Sequence, residues 1–386
     1  MRHNHYLFIF LGAFFLLCIS SILLSLYVDP YRVRFSQAKH DIYNYFGGTR
    51  TAKAIHIQEG GYDAFILGSS RSEIGIDPTH ALWGRLNTYN ASLAGSNFVE
   101  TYKVFQTVIQ QKHPKLIVLA LDYSLFSGAR STSGDFNLSR FDNSNSYFSS
   151  LFKEHLSKDS IEKSFRALKY SIRGLPPKHD QGQKNGHLTF DKVINKTGQH
   201  RLVFNTLYKK VITNNEAYTQ EGFSSSRLKL LRDLVKYCSD QKIQLIIFIS
   251  PVHALQLMTF KQIGIWEDFL NWKKELSNIS DAYPETPVYD FTDFSAFISE
   301  EIPSSSSNTT MQWFWETSHY KNTLGNLILN RILTLDGGNL SKPFGSKLNH
   351  KNIHSELARQ RLNLDLYEQK HEALLKHVKA LVKDSK

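Results

Sequence analysis

Four regimes of apolar and polar residues follow one another along the chain. Residues 7–27 (LFIFLGAFFLLCISSILLSLY) are 21 positions without a charge. At about 1.5 Å per residue, that is enough to cross a hydrocarbon core of ~30 Å. A cleaved signal peptide has a shorter apolar centre and small residues at its cleavage site. Ile19-Ser20-Ser21 is a poor site embedded in more apolar sequence, and the bulky Leu16-Leu17 before Cys18 argue against a lipoprotein signal. The run therefore reads as an uncleaved anchor over residues 1–28.

From residue 62 onward, short apolar runs alternate with amphipathic stretches. Strands are predicted at 62–67 (YDAFIL), 88–90, 115–121 (KLIVLAL), 244–250 (QLIIFIS) and 287–289. Helices are predicted at 98–112, 224–240, near 265–276 and at 322–333; in the first, Phe98, Tyr102, Phe105, Val108 and Ile109 recur at helical spacing. The unbroken apolar character of 115–121 is that of a parallel strand covered on both faces. The alternation predicts an α/β domain with a mostly parallel sheet flanked by helices, its functional loops at the carboxyl ends of the strands. Gly68-Ser69-Ser70-Arg71, Asp122-Tyr123 and Pro251-Val252-His253 fall at such ends.

The third regime, residues 127–223, is rich in Ser, Asn, Lys and Arg and carries the turn Gly174-Leu175-Pro176-Pro177. It reads as an insertion or cap with helix around 161–172. The fourth, 336–386, is a charged helical tail whose Leu362, Leu366, Leu374, Leu375, Val378, Leu381 and Val382 form a loose stripe suited to docking on the same protein. Residues 29–61 form a membrane-proximal connector, partly helical around 51–58, and 62–335 the α/β domain.

The formal net charge of +11 favours anionic surroundings, either a polymer or membrane headgroups. The cations are scattered and build no nucleic-acid-binding motif, so nucleic acid is not an expected partner. Cys18 lies in the apolar segment, which leaves Cys238 without a partner for a disulfide. No CxxC, HExxH or other metal-ligand spacing occurs, so neither metal nor cofactor is expected.

A serine hydroxyl becomes a useful nucleophile only with a base to take its proton and donors to stabilise the oxyanion. Ser70, on a sharp turn after a buried strand, is well placed for attack. His319, in Trp315-Glu316-Thr317-Ser318-His319-Tyr320, precedes a predicted helix, and Glu316 three residues earlier can hold the imidazole tautomer that accepts from serine. Each piece is common by itself: Gly-Ser-Ser is a frequent turn, and Glu-x-x-His usually a solvated helix start. Together they place strand-Gly-x-Ser near the domain's beginning and carboxylate-x-x-His near its end.

That order resembles the SGNH (GDSL-like) hydrolase superfamily, whose N-terminal block supplies the nucleophile and whose C-terminal Asp-x-x-His block supplies acid and base. Leu67-Gly68-Ser69-Ser70 is most similar to its membrane-anchored branch of cell-envelope acyl transfer, which includes alginate O-acetylation proteins and the teichoic-acid D-alanylation protein. Residues 64–78, 90–97, 116–126, 246–253 and 315–327 carry the resemblance, which leaves 127–223 and the tail uncovered. The resemblance implies a flavodoxin-like sheet, Ser70 as nucleophile and oxyanion donor through its own N–H, Gly95 as a second donor, His319 as base and Glu316 as triad acid. It also implies a bacterial inner-membrane protein with its main domain on the periplasmic side, working with an envelope glycan or an acyl-donor membrane protein. Two positions depart from the pattern: the acid is Glu instead of Asp, and Asp122 stands where an oxyanion-binding asparagine is expected. An ionised Asp122 would repel an oxyanion, which makes Asn97 the candidate replacement donor. Loss of one such donor slows catalysis by about 10²–10³.

Arg71 is expected either to pair with Asp122 or Asp77 or to bind an anionic substrate. Asp122 and His253, at the strand ends, are candidates to line the substrate site. The favoured reading is an esterase or O-acyltransferase working through an acyl-Ser70 intermediate. Against it stand an inactive SGNH fold that binds glycan or partners, and a basic membrane-surface protein in which the two motifs are coincidental.

Overall fold

The elements follow from where apolar side chains can be buried. In the computed structural model, residues 2–30, 50–111, 113–134, 136, 141, 155–173, 185–188, 204–205, 208–209, 212–213, 218, 222–303, 310–334 and 344–384 are described. Helix α1 (Arg2–Val28) contains one stretch, His5–Val28, of mean hydropathy 2.8, long and apolar enough to cross a membrane, and its apolar window is not buried by the rest of the protein. The six strands are β1 (Ala64–Leu67), β2 (Thr88–Asn90), β3 (Leu116–Leu121), β4 (Gln244–Ile249), β5 (Val288–Asp290) and β6 (Ser346–Lys347). They form one sheet in the order β2-β1-β3-β4-β5-β6, all parallel except the antiparallel β5–β6 pair.

Every residue of β1 and β3 is buried, as their unbroken apolar sequences require of strands covered on both faces. Each large aliphatic or aromatic side chain so buried contributes about 1.5–3 kcal/mol. Flanking helices provide the cover: α2 (Arg50–Glu59), α4 (Phe98–Gln111), α6 (Ser225–Asp240), α7 (Ala254–Gln262), α8 (Trp266–Ala282) and α9 (Asn322–Leu333). The order of the five parallel strands is one of the two common doubly wound arrangements, and its direction of winding reverses between β1 and β3. Loops leaving the carboxyl ends of those two strands diverge at this point, where doubly wound sheets bind ligands, and they carry Ser70 and Asp122.

Most predicted boundaries fall within two residues of those observed, with α8 running on to Ala282 because Ile279 and Ser280 are buried. Three features were not anticipated. α2 is no spacer: Ala54 and Ile57 belong to the main core, and α2 packs on α4. The apolar 254–262 stretch is α7, and the tail supplies β6 in addition to the docking helices expected of it, α10 (Ile353–Lys370) and α11 (Glu372–Asp384), which pack against α7. Of the insertion, the helix expected at 161–172 is present as α5 (Lys158–Ile172). Most other residues of 127–223, most of the connector and residues 336–343 lie outside the described residues. Cys18 and Cys238 are both free.

Candidate active site

β1 ends at Leu67, and the chain turns through Gly68 into the short helix α3 (Ser70–Gly75). A Cβ on Gly68 would stand 2.8 Å from the Ala120 carbonyl oxygen of β3, so only glycine allows this turn to press against the neighbouring strand. Ser69 caps α3, its Oγ accepting from the Arg71 N–H at 3.2 Å. Ser70 is therefore the first helical residue, where backbone N–H groups lack an intrahelical acceptor.

α9 delivers the histidine. A Cβ on Gly325 would fall 1.7 Å from the Gly75 carbonyl oxygen, and one on Gly75 would fall 2.0 Å from the Tyr320 ring. With glycine at both positions, α9 and α3 touch backbone to backbone. The loop before α9 is closed by Trp315 N–H to His319 O at 2.9 Å and Lys321 N–H to Trp313 O at 2.8 Å. The result is a contact of 2.8 Å between Ser70 Oγ and His319 Nε2.

Glu316 completes the line. Its Oε1 meets His319 Nδ1 and accepts the His319 N–H at 2.8 Å, while its Oε2 accepts the Ser318 N–H at 2.8 Å. Glu316 is 1% exposed and the His319 side chain 23% exposed. Burial acts to raise the Glu316 carboxyl, but His319 and the Ser318 N–H outweigh it and hold the group below its ordinary value. An ionised Glu316 takes the Nδ1 proton as a hydrogen bond, which leaves Nε2 free to accept from Ser70. The serine and histidine are half-buried and reached by solvent; the acid is not.

Around this line the other sequence-predicted residues are sorted. Arg71 Nη1 pairs with Asp122 Oδ1 at 3.1 Å, and Ser69 Oγ donates to Asp122 Oδ2. Arg71 also donates from Nη2 to Tyr218 OH at 2.8 Å and from Nε to Ser318 Oγ at 3.2 Å. It thus ties α3 to the histidine loop. Burial opposes its charge, yet Asp122, with Tyr218 and Glu316, more than offsets that and raises the guanidinium above its ordinary range. Asp77, the other acid considered, caps the Thr79 N–H instead. With Arg71 5% and Asp122 2% exposed, and their charges turned on each other, neither fits the expected substrate-binding role.

His253 does not fit it either. It is fully buried, its Nδ1 accepting the Leu255 N–H at 3.2 Å as the cap of α7 and its Nε2 donating to Glu300 O at 2.7 Å. Burial drives it down to about 4, so it is neutral. Its backbone N–H donates to Thr317 O at 2.9 Å, which supports the Glu316–His319 loop from below. Asn97 likewise leaves the set of oxyanion donors. Its Oδ1 caps the Glu100 N–H at 3.1 Å, and its Nδ2 donates to Arg130 O at 3.2 Å and Thr132 Oγ1 at 3.3 Å.

Gly95 sits in the loop after β2 that pairs alongside Ser69 through Leu93, with φ +68°. Two cations of α2 fix this loop. Arg50 Nη2 donates to Ala94 O at 2.9 Å, and the buried Lys53, paired with Glu73 of α3 at 2.7 Å, donates to Ser92 O. Ala94 C=O and Gly95 N–H belong to one trans peptide and point in opposite directions. The Arg50 bond thus aims the Gly95 N–H away from α2.

Sequence reading missed Tyr218, Ser69 and Ser318 as partners of the Arg71–Asp122 pair; Ser69 and Ser318 were at hand in the quoted motifs. It also missed Arg130, which lies in the insertion without any periodic signal. The Arg130 backbone is pinned by Arg227, whose Nη2 donates to its carbonyl at 2.6 Å. Its own Nη2 lies 3.9 Å from where a Cβ on Gly95 would stand. Among the described residues its guanidinium has no ion-pair or hydrogen-bond partner, and it is half-buried.

Ser70, His319 and Glu316 are thus aligned as a serine–imidazole–carboxylate relay at the switch point of a doubly wound sheet, an arrangement able to perform acyl transfer. No protein-family model matches the chain, and no curated protein matches it.

Proposed function

We propose that this chain is a membrane-anchored serine esterase or O-acyltransferase of the SGNH type, acting on a cell-envelope glycan or polymer. The observation that carries the reading is the 2.8 Å contact of Ser70 Oγ with His319 Nε2, backed by the buried Glu316 on the other nitrogen. Ser70 Oγ attacks the acyl carbonyl carbon as its proton passes to His319 Nε2, and the oxyanion is received by the N–H groups of Ser70 and Gly95. Collapse breaks the ester C–O bond, and His319 returns the proton to the departing alcohol. An acceptor hydroxyl, of water or of a sugar, then attacks the acyl-Ser70 ester with the same proton traffic in reverse and frees the serine.

The half-buried guanidinium of Arg130, beside the Gly95 loop and without an ion-pair partner among the described residues, is a cation suited to an anionic substituent on donor or acceptor. α1 would hold the domain at the extracytoplasmic face, next to envelope polymers or a membrane-bound acyl donor. The test is labelling of the full chain in detergent by a fluorophosphonate, with Ser70→Ala and His319→Ala as comparisons. Labelling of wild type that disappears in both variants is expected. One observation favours the second reading, a retired SGNH fold that binds glycan: Asp122 and Asn97 leave the site with fewer oxyanion donors than the family pattern has. Folded wild-type protein that does not label would establish that reading over ours.

A further inference from the structure

α5 lies against the last turns of α1. Ser25 Oγ is 2.8 Å from Ser160 Oγ and 3.0 Å from His155 Nδ1, and Ala167 is buried against Leu24 and Val28. The buried face of α5 is Ser160, Ser164 and Ala167, small residues that let two helix backbones approach closely.

The adjacent face has another character. Ile161, Phe165, Leu168 and Ile172 recur at i, i+4, i+7 and i+11, one stripe on a helix. Phe165 is 59% and Ile172 77% exposed, so among the described residues nothing covers these two positions of the stripe. Beyond it the helix turns basic: Lys158, Lys163, Arg166, Lys169 and the C-capping Arg173 outnumber Asp159 and Glu162. Asp159 and Glu162 are already taken up by Lys163 and Arg166 of the same helix. An apolar stripe bordered by cations is the pattern of a helix lying in a membrane interface, its long basic side chains reaching up to the phosphates. The stripe also continues the apolar surface of α1, whose Leu23 and Tyr27 are 60% and 56% exposed in the same region.

We propose that α5 is an interfacial helix, with Phe165 and Ile172 at the acyl boundary of the bilayer that α1 crosses and Lys158, Lys169 and Arg173 on anionic lipid headgroups. The proposal rests on α1 being a membrane span. α5 and α1 together then hold the α/β domain against the membrane surface at two points, which restricts its tumbling about a single tether.

The test uses the full chain in vesicles of phosphatidylcholine and phosphatidylglycerol, in a Cys18→Ser background with Cys238 buried in the core. Nitroxide labels are placed singly at Phe165→Cys, Ile172→Cys, Arg166→Cys and Phe15→Cys, and their accessibility to oxygen and to a water-soluble nickel chelate is measured. Labels at 165 and 172 are expected to favour oxygen and be shielded from nickel. The label at 166, about 100° round the helix from 165, is expected to favour nickel. Labels at 165 and 172 as open to nickel as that at 166, with Phe15→Cys lipid-shielded, would overturn the interfacial helix and leave the span intact. A Phe15→Cys label open to nickel would remove the span itself, and the proposal with it.

Discussion

Two clusters of buried charge sit at the carboxyl edge of the sheet, and they are built on opposite plans. At the end of β5, Lys273 donates to Asp290 at 2.8 Å, to Thr292 and to Gln360 of α10, and Gln360 donates back to Asp290 at 2.8 Å. Lys273, Asp290 and Gln360 are at most 1% exposed, and all three ammonium protons have an acceptor. That cluster is closed, and its product is the docking of the C-terminal helices. Between β1 and β3, the Arg71–Asp122 pair is buried in the same way, but it supports a second layer, Ser70 and His319, which is only half-buried. A buried charge is thus no sign of function by itself. What distinguishes the two clusters is whether the buried charges carry a solvent-reached serine and histidine above them.

The contrast can be broken at either cluster. His319→Ala, and Glu316→Gln through the lost tautomer control, should lower the rate of fluorophosphonate labelling by about 10⁴ while leaving the melting temperature within a few degrees. Lys273→Met should do the reverse. It strands the buried Asp290 carboxylate and should destabilise the fold by about 3–5 kcal/mol, read by denaturant melts, with labelling of the remaining folded protein unchanged. Loss of labelling in proportion to loss of stability in all three variants would erase the distinction between the clusters.

His253 provides a finer test, because it belongs to the supporting layer and not to the reacting one. Its folded value near 4 lies below the ordinary 6.5, so the unfolded chain binds the extra proton. Stability is then fully present above about pH 6.5 and declines as pH falls toward 4, by about 3 kcal/mol over that window. His253→Asn, which preserves a capping acceptor, should flatten this part of the melting-temperature profile. An unchanged slope would show that other groups carry it. The smallest effect is expected at Arg130. Arg130→Gln should raise KM for an anionic ester about tenfold, a change of about 1.4 kcal/mol, and leave a neutral ester untouched.

How legible these arrangements were in the sequence depends on the range of the interaction. β3 and β4 announce themselves because burial on both faces demands unbroken apolar runs, and α4 and α6 because burial on one face demands a period near 3.6. The Ser70–His319–Glu316 line was readable because its two halves are local motifs whose chemistry is complementary. Arg50 and Lys53 were not, since nothing within the connector signals that its cations meet carbonyls more than 35 residues away. α7 was missed because it is buried nearly all round and shows no polar face to set a period. Gly75 and Gly325 are ordinary glycines until the two helices are placed in contact. His253 and Asn97 were misjudged in a shared way: a polar side chain at a strand end or helix start often caps a backbone, and both do.

The backbone contact between Gly75 and Gly325 bears on the life of the chain before it is complete. The partners Ser70 and His319 are 249 residues apart. During synthesis the serine, its cap and its helix emerge early, but the imidazole arrives only when α9 has been made and has closed onto α3. Until then Ser70 is an ordinary alcohol with no base to take its proton. On the proposed function, Ser70 is armed by the docking of α9 onto α3, so a chain truncated before residue 319 would not label, and the onset of labelling in a refolding experiment would time the seating of α9.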